Sequence, residues 1–261
     1  MARSLIGGLI RAGVSPRHLA VAEPNEALRE MLARDSAVAV HAANESAARD
    51  ADVWVLAVKP QVVKAVCAEL RATAQARRPL IISIAAGIRI DQLEAWLGSN
   101  LPIVRCMPNT PALLGAGATG AYANAHCKPA QREIVQGILN ASGLTVWVED
   151  EAQMDTVTAI SGSGPAYFFL LVEAMEDAAI AHGLPRETAR ALAVQTCFGA
   201  GCMLREDGAA PAELRRRVTS PAGTTQAALD SFATSDFNTI VARAVAAATQ
   251  RGAEMSAQLD T

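Results

Sequence analysis

The chain has 261 residues, of which 51% are hydrophobic and 19% charged, with a formal net charge of -3. This composition can bury a sizeable core and excludes a disordered chain, and the charge argues against a phosphate-tracking surface for nucleic acid. No apolar run reaches a membrane span, and no charged-then-apolar leader opens the chain, so neither a membrane nor secretion is expected.

In chain order, "MARSLIGGLIR" reads as a helix, with Leu5, Ile6, Leu9 and Ile10 at helical spacing and Gly7 and Gly8 allowing close packing. "AGVSP" ends it, and "HLAVAEPN" reads as a short strand finishing in Glu23. Helix, turn, strand and acid form the back half of a dinucleotide-binding unit, here with no strand in front. The runs "AVAVHA", "VWVLAV", "PLIISIAA", "PIVRCM" and "LTVWVED" follow as strands. Helical stretches such as "NEALREMLAR", "PQVVKAVCAELRATAQ" and "IDQLEAWLG" alternate with them. The alternation predicts a Rossmann-type, mostly parallel α/β sheet covered by helices. "VWVLAV" and "LIISIAA" are apolar throughout, as strands buried on both faces should be.

After Asp150 the character changes. "PAYFFLLVEAMEDAAIAHG", "RETARALAVQTCFGAGCMLRE" and "NTIVARAVAAATQRGAEMSAQL" are long, helical and dense in Ala, Gly and Cys. The expected organisation is a sheet domain over 1–150 and an all-helical domain over 151–261. The five cysteines, Cys67, Cys106, Cys127, Cys197 and Cys202, lack paired metal-ligand spacing. They read as reduced, mostly buried thiols of a cytoplasmic protein with no metal site.

Five stretches carry the candidate chemistry. "VLAVKPQ" ends a buried strand in Lys59-Pro60, where an open parallel sheet binds its ligands; taken alone, it reads first as a strand-to-helix turn with a solvated lysine. In "IISIAAG", Ala85, Ala86 and Gly87 leave room for a flat ring or pack closely. "RCMPNTPALLGAG" holds Asn109 and Thr110 between two prolines, a stiff turn. In "AISGSGPAYFF", Ser161, Gly162, Ser163 and Gly164 precede Pro165 at a helix start, an anion site or a packed cap. In "RRRVTSPAGTTQAAL", Ser220-Pro221 starts a further helix with Gly223, Thr224 and Thr225 in its first turn, suited to a small carboxylate or simply a capped helix beside a basic solvated patch. The four histidines are isolated, and no serine or cysteine has a recognisable nucleophile setting. A reaction needing little side-chain acid–base machinery fits, such as hydride transfer to an electrophilic imine.

The motifs "AVKP", "AAG", "MPNTP", "SGSGPAY" and "VTSPAGTT" resemble, in order and approximate spacing, those of the pyrroline-5-carboxylate reductases. One departure is Ala222, where the family more often has Gly. "MARSLIGGL" is similar to the stretch that in the family follows a first strand and a glycine-rich phosphate loop, so both are expected to be missing here. The resemblance implies NAD(P)H-dependent reduction of 1-pyrroline-5-carboxylate to L-proline, with NADP as cofactor and NAD possible. It implies that Asn44, Ala57, Val58, Lys59, Pro60, Ile84, Ala85, Ala86 and Glu151 line the dinucleotide site. Ser161, Gly162, Ser163, Gly164, Ser220, Ala222, Gly223, Thr224 and Thr225 would hold the substrate, with the Thr225 hydroxyl hydrogen-bonded to the ring nitrogen. The small-residue helices together with the resemblance imply a homodimer or larger homo-oligomer. Two other readings stand beside this one. A two-domain 2-hydroxyacid dehydrogenase would need a lysine in the helical domain, and no lysine follows Lys128. A non-catalytic helical dimerisation protein would have lost its cofactor site.

Overall fold

In the computed structural model, which describes residues 1–258, the first half folds as alternating strands and helices. In order these are α1 (Ala2–Arg11), β1 (Ala20–Ala22), α2 (Glu26–Ser36), β2 (Ala39–His41), α3 (Asn44–Ala48), β3 (Val53–Leu56), α4 (Pro60–Arg77) and β4 (Leu80–Ser83). Then come α5 (Ile90–Leu97), β5 (Ile103–Met107), β6 (Gly117–Ala123), α6 (Pro129–Asn140), β7 (Gly143–Trp147) and α7 (Gln153–Val157). Every pairing is parallel except that between β5 and β6. The mixed α/β fold with a mostly parallel sheet is as expected.

Alternation along the strands sorts the core into two layers. Ile81 and Ile103 point to one face, packed by Val63, Cys67, Leu70 and Ala74, which recur at three- and four-residue intervals on α4, and by Leu93 and Leu97 of α5. Ile82, Val104 and Cys106 point to the other, against Leu5 of α1 and Val135 and Leu139 of α6. Helices therefore cover both faces, the architecture that forces both sides of β4 to be apolar. Cys67, Cys106 and Cys127 are buried, and loss of water around them raises their thiol pKa values, that of Cys67 to about 12. Cys197 and Cys202 are half-buried.

Two features differ from the sequence reading. Strand β6, "GATGAYA", is absent from the expected strands because glycine and alanine carry little strand propensity. Its glycines admit close neighbours: a side chain on Gly120 would strike Val157. The second feature is a division of the sheet. β1 and β2 form one parallel pair, and β3 to β7 form a separate five-stranded sheet.

By internal contacts, Met1–Ser163 forms one unit together with the last turns of the C-terminal helix from Ala248, and Gly164–Ala247 forms a second. The second unit holds α8 (Gly164–Ala181), α9 (Arg186–Glu206), α10 (Pro211–Arg217), α11 (Thr224–Thr234) and the start of α12 (Phe237–Gln258). Its described residues contain no strand. Within it, the buried Glu176 carboxylate of α8 accepts from Arg186 and Arg190 of α9 at 3.0 and 3.1 Å, fixing the α8–α9 pair. Its apolar interior is slight: Ala189, Ala193 and Leu214 are its buried apolar side chains among the described residues. Phe168, Phe169 and Leu170 of α8 and Phe198 of α9 are exposed.

The expectation of no membrane-length apolar run is corrected here. Gln153–Ala181 is long and apolar enough to cross a membrane by length and composition, with a mean hydropathy of 1.2. The length arises because the α7 segment and α8 follow one another with almost no break, so apolar residues on either side of the Ser-Gly run count together.

Candidate active site

The carboxyl ends of the parallel strands collect most of the candidate cofactor residues. β3 and β4 run in register, Leu56 opposite Ser83, and the Ile84 amide donates to the Leu56 carbonyl at 3.1 Å. Ala57 and Val58 therefore leave the sheet beside Ile84, Ala85 and Ala86. Lys59 is the exposed N-cap of α4 and Pro60 its first residue, where the missing N–H costs nothing. Asn44 opens α3 just after β2, and its side-chain amide donates to Glu69 at 2.8 Å. Ala57 is exposed and Ala86 half-buried, whereas Ala85 is buried in the core below them.

Beyond β1, the Glu23 carboxylate accepts from the Asn25 amide at 2.9 Å. Arg29 reaches back from α2 and donates to the carbonyls of Glu23 and Pro24 at 2.9 and 2.8 Å. The guanidinium is thereby held at the end of β1. Asn25 itself caps α2, accepting from the Leu28 amide at 3.1 Å.

Glu151 is occupied by the protein. Its Oε1 accepts from the Ile90 amide at the start of α5 at 2.9 Å and from Arg105 at 3.1 Å. Arg105 lies on β5, is 5% exposed, and also reaches Asp155 of α7 at 3.5 Å. One buried guanidinium thus ties β5, α5 and α7 together. Removing both carboxylates would leave the buried guanidinium unpaired, at a cost of about 3–5 kcal/mol. The sequence reading passes over Arg105, since nothing in "PIVRCM" marks its arginine as buried.

The Ser-Gly run differs locally from an open helix start. Thr158–Gly162 forms a π-helical turn continuing α7, and α8 begins at Gly164, with Pro165 second. The Ser163 amide donates to the Thr158 carbonyl at 2.8 Å, so that donor is already used. The Ser161 hydroxyl donates to the Val157 carbonyl at 2.9 Å. Wide turns of this kind are rare and concentrate at functional sites.

The turn before α11 is also more specific than a helix start at Ser220. Ser220, Pro221, Ala222 and Gly223 form a tight turn closed by the Gly223 amide donating to the Ser220 carbonyl at 3.0 Å. Ala222 sits in the left-handed region at φ 56°, a conformation glycine adopts without strain. The helix proper begins at Thr224, with Gly223 as N-cap and no side chain capping it. Its first N–H groups are left for another acceptor, and the half-buried Thr225 side chain stands among them. Among the described residues, no group of three or more His, Cys, Asp or Glu side chains is placed to hold a metal ion.

Comparison with known proteins bears on both units. A family model described as pyrroline-5-carboxylate reductase dimerisation matches residues 151–255, and one described as NADP oxidoreductase, coenzyme F420-dependent, matches residues 1–87. Pyrroline-5-carboxylate reductase of Pseudomonas aeruginosa is 53% identical over 261 residues, covering 99% of this chain and 94% of that protein. The Haemophilus influenzae enzyme of that name is 44% identical over 256 residues, covering 98% and 94%. Among solved structures, a pyrroline-5-carboxylate reductase from Coxiella burnetii superposes with a TM-score of 0.95 at 39% identity, covering 97% of this chain and 94% of that one. The Plasmodium falciparum pyrroline carboxylate reductase with NADP bound gives 0.83 at 31% identity, with the same coverage. Identity of this extent along nearly the whole of both chains shows that this chain belongs to the pyrroline-5-carboxylate reductase family of NAD(P)-dependent oxidoreductases.

Proposed function

We propose that this chain reduces 1-pyrroline-5-carboxylate to L-proline, the last step of proline biosynthesis, in the cytoplasm. The observation that carries the reading is the 53% identity to a reductase of that name across 99% of the chain. The cluster of small residues beyond β3 and β4 fits a dinucleotide. Ala57, Val58, Lys59 and Pro60 would line one side, Ile84, Ala85 and Ala86 the other, with Asn44 beside them. Glu151, held by Arg105, would act on the cofactor side through the start of α5. When bound, the reduced nicotinamide supplies the hydride for the imine carbon.

The remaining work falls to the protein's own groups. The uncapped N–H groups at the start of α11 bind the substrate carboxylate, helped by the Ser220–Gly223 turn and by Ser161, Gly162, Ser163 and Gly164. The Thr225 hydroxyl donates to the ring nitrogen and orients it, and a proton from water completes the amine as the hydride reaches carbon. Catalysis is then positioning and electrostatic stabilisation, with no side chain abstracting a proton from carbon. The Arg29 guanidinium at the end of β1, beside a Glu23 already engaged by Asn25, suits a 2′-phosphate, so NADP is favoured over NAD. The apolar faces of α8 and α9 pair subunits into a homodimer or larger homo-oligomer, as the name of the dimerisation family suggests.

Thr225→Ala tests the assignment. It should leave cofactor affinity unchanged and lower turnover about ten- to a thousandfold, the worth of one transition-state hydrogen bond. Unchanged kinetics would make Thr225 a helix-start residue only.

A further inference from the structure

Pro165 creates a vacancy that another residue fills. In an unbroken helix the Ser161 carbonyl would accept from the N–H four residues on, and that residue is Pro165, which has none. The chain turns π-helical there and bends at Ser163. The Ser161 carbonyl is taken instead by the side-chain amide of Asn109, at 3.0 Å. The other half of the same amide accepts from the Ala118 backbone at 2.9 Å, so Asn109 is clamped from β6. It is 8% exposed. Met107, two residues earlier, lies so close beneath Gly162 that a side chain there would come within 2.7 Å of its terminal methyl.

Arg105, Met107 and Asn109 thus occupy alternate positions at the end of β5 and touch Asp155, Gly162 and Ser161 in turn. We propose that Asn109 is a positioning residue: it fixes the Ser161–Gly164 turn for the substrate by holding the carbonyl that Pro165 leaves open. The inference rests on the reading that this turn contacts the substrate. It also explains why prolines bracket Asn109 and Thr110: Pro108 and Pro111 stiffen the segment whose amide must not move.

The two hydrogen bonds of Asn109 can be separated. In N109D the acceptor for Ala118 survives and the donor to Ser161 is lost at neutral pH. Burial raises the carboxyl's pKa. As the pH falls the group protonates, and its O–H can donate to the Ser161 carbonyl. N109D should raise KM for 1-pyrroline-5-carboxylate about ten- to a hundredfold at neutral pH, the loss expected of a misplaced contact. Cofactor affinity should stay within about twofold. The KM should recover toward that of the unmodified chain as the pH falls, while the unmodified chain shows no such recovery. Hydrogen exchange should quicken in the segment 158–166 alone. N109S, too short for either bond, should reproduce the neutral-pH rise in KM without the recovery, with faster exchange at Ala118 as well as over 158–166, and it serves if N109D does not fold. A substrate KM unchanged in both variants, or losses of substrate and cofactor affinity in equal measure, overturns the proposal. If the unmodified chain does not reduce the imine, the functional reading fails by itself. Exchange over 158–166 then still decides on Asn109: unchanged exchange overturns the positioning role, and faster exchange supports it.

Discussion

At the scale of single residues, Ala222 shows how much a sequence departure can be made to say. Its backbone lies in the left-handed region, φ 56°, within the turn that leads into α11. An L-residue pays roughly 1–2 kcal/mol for that conformation, and glycine avoids it while losing roughly 0.5–1 kcal/mol of chain entropy on folding. Ala222→Gly should therefore stabilise the chain by about 0.5–1 kcal/mol. The denaturation midpoint should rise, and a midpoint that falls would contradict the turn geometry. The sequence signals the position, because glycine is commoner there in the family it resembles, yet the reason needs the dihedral angle. The motif "MPNTP" is similar: its prolines announce a stiff turn, but only the hydrogen bonds to Ser161 and Ala118 show what the stiffness serves.

At the scale of elements, apolar strands and long helices are legible because their hydrophobic period is strong. "VWVLAV" and "LIISIAA" become β3 and β4, and "PQVVKAVCAELRATAQ" becomes α4. β6 is illegible because its composition serves contact and not propensity. Gly120 lies against Val157, just ahead of the π-turn, and a methyl there would collide with a branched, stiff side chain. Gly120→Ala should cost about 1–3 kcal/mol, the usual range for overpacking. Val157→Ala on the same chain should recover part of that loss, since it removes the clashing methyls. A thermal melt of the two variants checks it, and a Gly120→Ala chain as stable as the parent would refute the close contact. The Ser-Gly run was legible as a special segment but not as a π-turn, because period-based reading has no template for five residues per hydrogen bond.

At the scale of the whole molecule, the helical unit has too little apolar interior to be self-sufficient. Ala189, Ala193 and Leu214 are small stock beside the exposed aromatic and aliphatic side chains of α8 and α9. Exposed apolar surface of this kind marks an association face. Sedimentation at micromolar concentration should show a dimer or larger assembly, and a folded monomer would contradict the pairing. The separation of the strands into a β1–β2 pair and a five-stranded sheet of β3 to β7 belongs to this scale as well. Isotope transfer reports on the proposed reaction most directly. NADPH carrying deuterium on the transferable position of its nicotinamide is incubated with the chain and 1-pyrroline-5-carboxylate, and the product is read by mass and by proton resonance. The account predicts proline with one deuterium on the former imine carbon, formed far more slowly by Thr225→Ala. Proline without deuterium, or no proline from the folded, assembled chain, would contradict it.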